Sequence, residues 1–318
     1  MTSTADPAKA HQPRFTAALL HPRHWPTWLL LGLWWLVSKL PLAALLRLGR
    51  VLGRLMYLAG GSRRRIVERN IELCFPELSA GQRRALVKAN FASYGMAVFE
   101  VAISWWWSHR RLENIVRVSG VEHLEALDGQ GALLMAMHFT TLELGGQAIN
   151  RLASIDAMYR PHKSPVYEYV QSVGRLKNSP DSAIYPRKDV RGVTRALRRG
   201  RVIWYAPDQD YGRKQSVFAP FFGVAAASVT ATAKFARLGN ARVLPFTHFR
   251  RADGSGYEVT VHPPLEDFPG EDEVADAARI NAIVETFVRH CPDQYLWAHR
   301  RFKTRPPGEP PLYARDPK

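Results

Sequence analysis

The feature that most limits what this chain can become is the stretch Gly131-Ala-Leu-Leu-Met-Ala-Met-His138-Phe-Thr-Thr-Leu-Glu143-Leu-Gly-Gly146. Its apolar run, Ala132 to Met137, is short and uncharged and predicts a buried strand. Leu142 to Leu152 carries a helical pattern, with Thr140 or Thr141 available to cap it. His138 therefore falls in the bend between strand and helix. Five positions separate His138 from Glu143, which on one continuous helix would set them about 140° apart and off a common face. A strand-to-helix bend removes that obstacle. An imidazole there can take a proton from a hydroxyl while a carboxylate fixes its tautomer and stabilises the imidazolium. Taken alone, His-x4-Glu at a strand end is more often an incidental polar pair than a catalytic one.

Further strands are expected at Val116–Ser119, Asp156–Tyr159, Val202–Ala206, Val243–Thr247 and Tyr257–Val261. Helical patterns fall between them, at Val166–Val173, Val190–Arg199, Ser228–Leu238 and Val274–His290, and Phe218–Gly223 reads as an aromatic loop. Strands alternating with helices predict an α/β fold with a mostly parallel central sheet flanked by helices. In such sheets the working crevice lies beyond the carboxyl ends of the strands, where His138, Arg160 and Asp208 all fall. Residues 1–24 read as a polar tail without the marks of a cleavable signal. The zone 25–47 reads as an apolar membrane-anchoring helix, and 48–318 as the catalytic domain. Trp25, Trp28, Trp34 and Trp35 suit a membrane interface, and Arg47, Arg50, Arg54 and Arg63-Arg64-Arg65 follow closely. The uncharged core of that zone, Trp28 to Val37, covers only ~15 Å as a helix, so spanning and lying in the interface both remain open.

The chain carries 44 Lys+Arg against 28 Asp+Glu, a formal charge of +16. Such an excess favours anionic partners: nucleic acid, an anionic membrane, or acidic proteins and lipids. Cys74 and Cys291, the only cysteines, have no metal or redox spacing and fit a reducing compartment.

Taken in order, several segments resemble the late acyltransferases of lipid A biosynthesis, within the lysophospholipid acyltransferase group. They are His21-Pro-Arg-His-Trp25, Asn70-Ile-Glu-Leu-Cys-Phe-Pro-Glu77, His138-Phe-Thr-Thr-Leu-Glu-Leu-Gly-Gly146, Tyr159-Arg-Pro161, Ala206-Pro-Asp-Gln-Asp-Tyr-Gly-Arg-Lys214, Phe218-Ala-Pro-Phe-Phe222 and His299-Arg-Arg-Phe-Lys-Thr-Arg-Pro306. The likeness is strongest to the lauroyl acyltransferase branch. It implies transfer of a fatty acyl chain from acyl carrier protein to a hydroxyacyl chain of a Kdo-bearing lipid A precursor, on the cytoplasmic side of the bacterial inner membrane. It further implies His138 as general base with Glu143 as its partner, the pair of the family's HX4E motif. Arg160, Arg175, Asp208 and Asp210 are implied as catalytic or substrate-binding, and no metal or cofactor is called for. An activated thioester needs only a base, positioning and oxyanion stabilisation. The basic groups Arg198-Arg199, Arg213-Lys214 and Arg300, Arg301 and Lys303 are candidates for anionic-substrate contacts, or else solvated basic faces.

Two rival readings compete. Asp208-Gln-Asp210 could be the metal-binding Asp-x-Asp of a nucleotide-sugar glycosyltransferase, which leaves His138 without a role. The charge could instead serve a basic nucleic-acid-binding protein, for which the chain offers no recognition motif.

Overall fold

The computed structural model describes residues 14–159, 161–177 and 181–314. Four long helices come first: α1 (Trp25–Val37), α2 (Leu42–Ala59), α3 (Gly61–Cys74) and α4 (Ala80–Trp106). Then follow α5 (His109–Glu113), β1 (Val116–Ser119), α6 (Glu122–Glu125), β2 (Ala132–Met135), α7 (Leu142–Ile149), β3 (Ile155–Tyr159), α8 (Pro165–Leu176) and β4 (Ile184–Pro186). The chain continues through α9 (Val190–Arg198), β5 (Val202–Tyr205), β6 (Ser216–Phe221), β7 (Val224–Val229), α10 (Ala231–Gly239), β8 (Arg242–Arg250), β9 (Tyr257–Val261) and α11 (Glu273–His290).

Seven strands form one sheet in the order β1-β9-β8-β2-β5-β3-β4, parallel throughout except for the β8–β9 pair. β2 lies between β8 and β5 and is buried at every position, as its unbroken apolar run requires. Its side chains divide the core. Leu133 and Met135 pack with residues of α9, α10 and α11, whereas Ala132 and Leu134 pack with α7 and with Leu45 and Ile103 of α2 and α4. The expected mostly parallel α/β sheet flanked by helices is the architecture observed.

Three expectations differ in detail. The zone 25–47 is two helices, because Ser38 to Pro41 breaks the pattern: Pro41 cannot donate to the preceding turn and starts α2 instead. The expected aromatic loop at Phe218 is strand β6, paired antiparallel with β7. Phe222 and Gly223, both at positive φ, form its two-residue turn. The predicted helix from Ser228 accordingly begins only at Ala231, since the alanines before it belong to β7.

Ser79 and Gln82 make the reciprocal capping box that starts α4. The 27-residue helix that follows is the only one, among the described residues, long and apolar enough to cross a membrane, and half of its apolar window is buried in protein. It packs tightly on α2 because both helices lack side chains at the crossing: a Cβ on Gly95 would lie 2.0 Å from Gly49 O, and one on Gly53 would lie 2.3 Å from Phe91 O. Deeper in, Glu100 of α4 receives Arg250 of β8 through Nε–Oε1 at 2.6 Å and Nη2–Oε2 at 3.0 Å, with Tyr257 donating to Oε1 at 2.9 Å. Both ionic side chains are at most 5% exposed.

Removing one partner of this ion pair strands a buried charge, so Arg250→Ala is expected to lose about 3–5 kcal/mol of stability. The double variant Glu100→Leu/Arg250→Met is expected to recover a large part of that loss, measured by urea unfolding of matched preparations.

Candidate active site

The parallel register builds the centre of the site. Met135 of β2 is paired with Tyr205 of β5, so the residues three places further along each chain, His138 and Asp208, leave the sheet side by side. The Asp208 carboxylate then holds both ends of His138: Oδ2 accepts the backbone N–H at 2.9 Å and Oδ1 accepts Nδ1–H at 2.6 Å. Asp208 is buried while the His138 side chain keeps 20% exposure. With Nδ1 committed to the carboxylate, Nε2 is the nitrogen left for chemistry, and His138 lines a cavity of about 1200 Å³.

Burial pushes the His138 pKa down, but the Asp208 charge and hydrogen bond outweigh it, leaving the imidazole above its ordinary value. Burial also pushes the Asp208 carboxyl up, yet His138 brings it down to about 2. At neutral pH the aspartate is therefore ionised and acts as an acceptor, which fixes the histidine tautomer.

The geometry corrects the expectation that Glu143 orients His138. Glu143 lines the same cavity, but its carboxylate accepts Arg175 Nε at 3.1 and 3.0 Å and Trp105 Nε1 at 3.1 Å, and Arg175 Nη2 also reaches Oε1. Burial raises the Glu143 pKa and Arg175 more than reverses it, so the glutamate is an anion paired within the wall. Arg175 is placed by its neighbours: Gln147 Nε2 donates to the carbonyls of Gly174 and Arg175 at 3.0 and 2.9 Å. One member of Trp105-Trp106-Trp107 thus serves the site directly.

Asp210 does not join Asp208. Its Oδ1 accepts Gly212 N and Thr304 Oγ1, and its Oδ2 accepts Thr304 N, at 2.7 to 2.9 Å. Each oxygen of both aspartates already accepts a protein N–H or O–H, which is a turn-and-strap arrangement and not the donor set of an Asp-x-Asp metal site. No group of three or more potential metal ligands occurs among the described residues.

Arg301 also departs from expectation. It is 2% exposed, donates to Ala227 O, Ser228 Oγ and Asn281 Oδ1 at 2.7, 2.9 and 3.2 Å, and lies over the Phe221 ring. It braces β7 against α11 and is not available to an anionic substrate. Arg300 is half-buried and Lys303 exposed, while Arg160 lies outside the described residues. Besides Arg175, the arginines and lysines that do line the cavity are Lys163, Arg187, Lys188, Lys214 and Lys234.

A strap at 293–299 was not foreseen from the sequence. Leu296 N donates to His138 O at 2.9 Å and Thr140 N to Gln294 O at 2.8 Å, so the bend is stitched on its second side. The strap hangs from two buried asparagines: Asn90 donates to Asp293 O and Tyr295 O, and Asn70 to Trp297 O and His299 O. The signal was Asn70 and Asn90 within apolar helical patterns, where a buried amide must find partners.

The profile of the family described as bacterial lipid A biosynthesis acyltransferase matches residues 12–304. The chain belongs to this family of lipid A acyltransferases. It is 43% identical over 304 residues to the lipid A biosynthesis lauroyltransferase of Escherichia coli K12, covering 95% of this chain and 99% of that one. The palmitoleoyltransferase of the same organism is 41% identical over 305 residues, again at 95% and 99% coverage. Its myristoyltransferase is 31% identical over 313 residues, at 95% and 94% coverage. Among solved structures, a 1-acyl-sn-glycerophosphate acyltransferase of Thermotoga maritima covers 78% of this chain and 96% of its own at 14% identity and a TM-score of 0.37, too distant to decide fold or function.

Removing the Asp208 charge leaves burial as the dominant influence on His138. Asp208→Asn is expected to cut turnover on the order of 10³-fold or more. The acid limb of its residual rate should move to lower pH, whereas the wild-type limb should lie above the ordinary imidazole value of about 6.5. Rate–pH profiles of acyl transfer for the two proteins check both outcomes.

Proposed function

We propose that this acyltransferase takes its acyl group as a thioester from acyl carrier protein and delivers it to a hydroxyacyl chain of a Kdo-bearing lipid A precursor. The observation that carries the mechanism is the Asp208–His138 pair at the wall of the large cavity. His138 Nε2 removes the proton from the acceptor hydroxyl as its oxygen attacks the thioester carbonyl. The C–O bond forms, the C–S bond breaks, and the imidazolium returns its proton to the departing thiolate. Asp208 stabilises the imidazolium throughout. Glu143 and Arg175 act as a paired unit in the wall: Glu143 neutralises Arg175, so that the guanidinium offers N–H donors to substrate without a net charge. Arg160, Arg175 and the cavity lysines are assigned to substrate binding, Asp210 to holding the loop through Thr304, and no metal takes part.

The same reading sets the enzyme at the cytoplasmic side of the bacterial inner membrane. Leu29, Leu30, Leu33 and Leu36 on α1 are 59–74% exposed, and Leu48, Val51, Leu55 and Leu58 make a second exposed apolar stripe on α2. Such a concentration of exposed aliphatic surface calls for an apolar environment. The 13 residues of α1 rise only ~20 Å, short of the ~30 Å hydrocarbon core, so the helix lies within one leaflet and does not cross.

His138→Ala is expected to abolish most transfer while carrier binding persists. In cells dependent on this enzyme, mass spectrometry of lipid A should show loss of one secondary acyl chain. Near-normal transfer by the folded variant would sink the mechanism. For the membrane assignment, Leu29→Gln/Leu33→Gln/Leu36→Gln is expected to move a substantial fraction into the soluble phase after sedimentation. Unaltered sedimentation in low and high salt would place the attachment elsewhere.

A further inference from the structure

Helix α9 is two-faced. Val193, Ala196 and Leu197 are buried, while Arg191, Arg195 and Arg198 are exposed and fall within about 60° of arc, with Arg199 just beyond the last turn. Among the described residues, none of Arg191, Arg195 and Arg199 has a carboxylate partner within 4.0 Å. The nearest acid in sequence is otherwise employed: Asp189 caps the helix at Gly192 N, 2.9 Å away. Arg198 Nε donates to Leu238 O and ties the face to α10. The helix does not need these charges for its own fold.

Two features say what the face is for. First, it adjoins the cavity: Lys188 and Val190, at the start of α9, line the cavity that His138 also lines. Second, it looks away from α1. The buried side of α9 packs with Leu133, Met135 and Ile203 on one face of the sheet, whereas α1 packs on α4 and α8, and α8 on α7, on the other. A basic surface made for anionic lipid headgroups would share the side of the exposed leucines of α1; this one does not.

We propose that the arginine face of α9 is the docking surface for the donor carrier, a soluble acidic protein whose thioester arm enters the cavity past Lys188 and Val190. The inference rests on the carrier-bound donor assigned above. Docking there lets donor and lipid acceptor approach from opposite sides of the sheet, so that neither has to leave before the other arrives. Charge on such a surface contributes encounter and ground-state binding more than chemistry, so it acts on KM and on its salt dependence.

The test compares acyl-carrier-protein and acyl-coenzyme A as donors for wild type, Arg191→Glu/Arg195→Glu/Arg199→Glu and the milder Arg191→Gln/Arg195→Gln/Arg199→Gln. The reversed variant is expected to raise the KM for the carrier-bound donor about tenfold or more at low salt, with little change in kcat or in the kinetics with acyl-coenzyme A. The Gln variant should show a smaller change of the same sign, and added salt should shrink the wild-type advantage. An unchanged carrier KM in folded variants overturns the surface, as does an equal loss with both donors. Lost affinity for phosphatidylglycerol vesicles with the carrier KM intact would make the face a membrane contact instead. A wild type that cannot use the carrier-bound donor overturns the donor assignment itself, and this proposal with it.

Discussion

The site depends on one carboxylate bonding twice to one residue. Beyond Met135 and Tyr205 the sheet pairing ends, and two irregular segments leave side by side without a ladder to hold them. Asp208 replaces the ladder, taking the backbone N–H of His138 on one oxygen and its ring on the other. A rotation of the imidazole about its side-chain bonds would break the second contact, and a shift of the bend would break the first. Backbone path and ring orientation are thereby coupled, so the geometry that a base requires is built into the way the bend folds.

The opposite side of the bend is held from further away. The strap from Asp293 to His299 pairs with His138 and Thr140, Asn70 and Asn90 hold its carbonyls, and its own Gln294 reaches the backbone of Arg250. Gln294 exchanges two hydrogen bonds with the backbone of Arg250, whose guanidinium is held by Glu100 in α4. A chain of buried polar contacts thus runs from the N-terminal helices to the bend that carries His138. Glu100, Arg250 and Gln294 are each satisfied by the next, which is the condition under which a polar network in a core stiffens a structure instead of weakening it. The N-terminal helices consequently do more than offer an apolar surface: α4 carries Glu100, Asn90 and Trp105, and each reaches the site through one or two contacts.

The sheet was legible because its strands are short apolar runs between helical patterns, and burial on both faces leaves a strand little freedom in composition. Residues at strand ends, His138 and Asp208 among them, were placed correctly for the same reason. Their partnership was not legible. Which carboxylate meets Nδ1 depends on the register between β2 and β5, and these strands are separated in the chain by three helices and two other strands. Glu143, near in sequence, was the natural choice, and the fold gives it to Arg175. Arg301 shows the converse: a run of basic residues carries no mark of which member turns inward. That choice followed from Ser228 and Asn281, remote in sequence, offering oxygens across a hairpin that had been read as loop and helix.

The corrected partners change what the motif residues can do. A glutamate bonded to the imidazole would add its negative charge at the base. Paired instead with Arg175 and with the Trp105 indole, it adds almost none, and the charge that sustains the imidazolium comes from Asp208 behind the ring. The cavity that His138 lines then holds a neutral pair and surface from Gly146 and Trp204, together with Lys163, Lys188, Lys214 and Lys234. Such a lining suits a substrate with long apolar chains and anionic groups at one end. In the proposed reaction the chains would meet the uncharged part of the lining and the anionic groups the lysines. A free carboxylate at position 143 would repel the oxyanion that forms when an alcohol attacks a thioester; a carboxylate closed by a guanidinium does not.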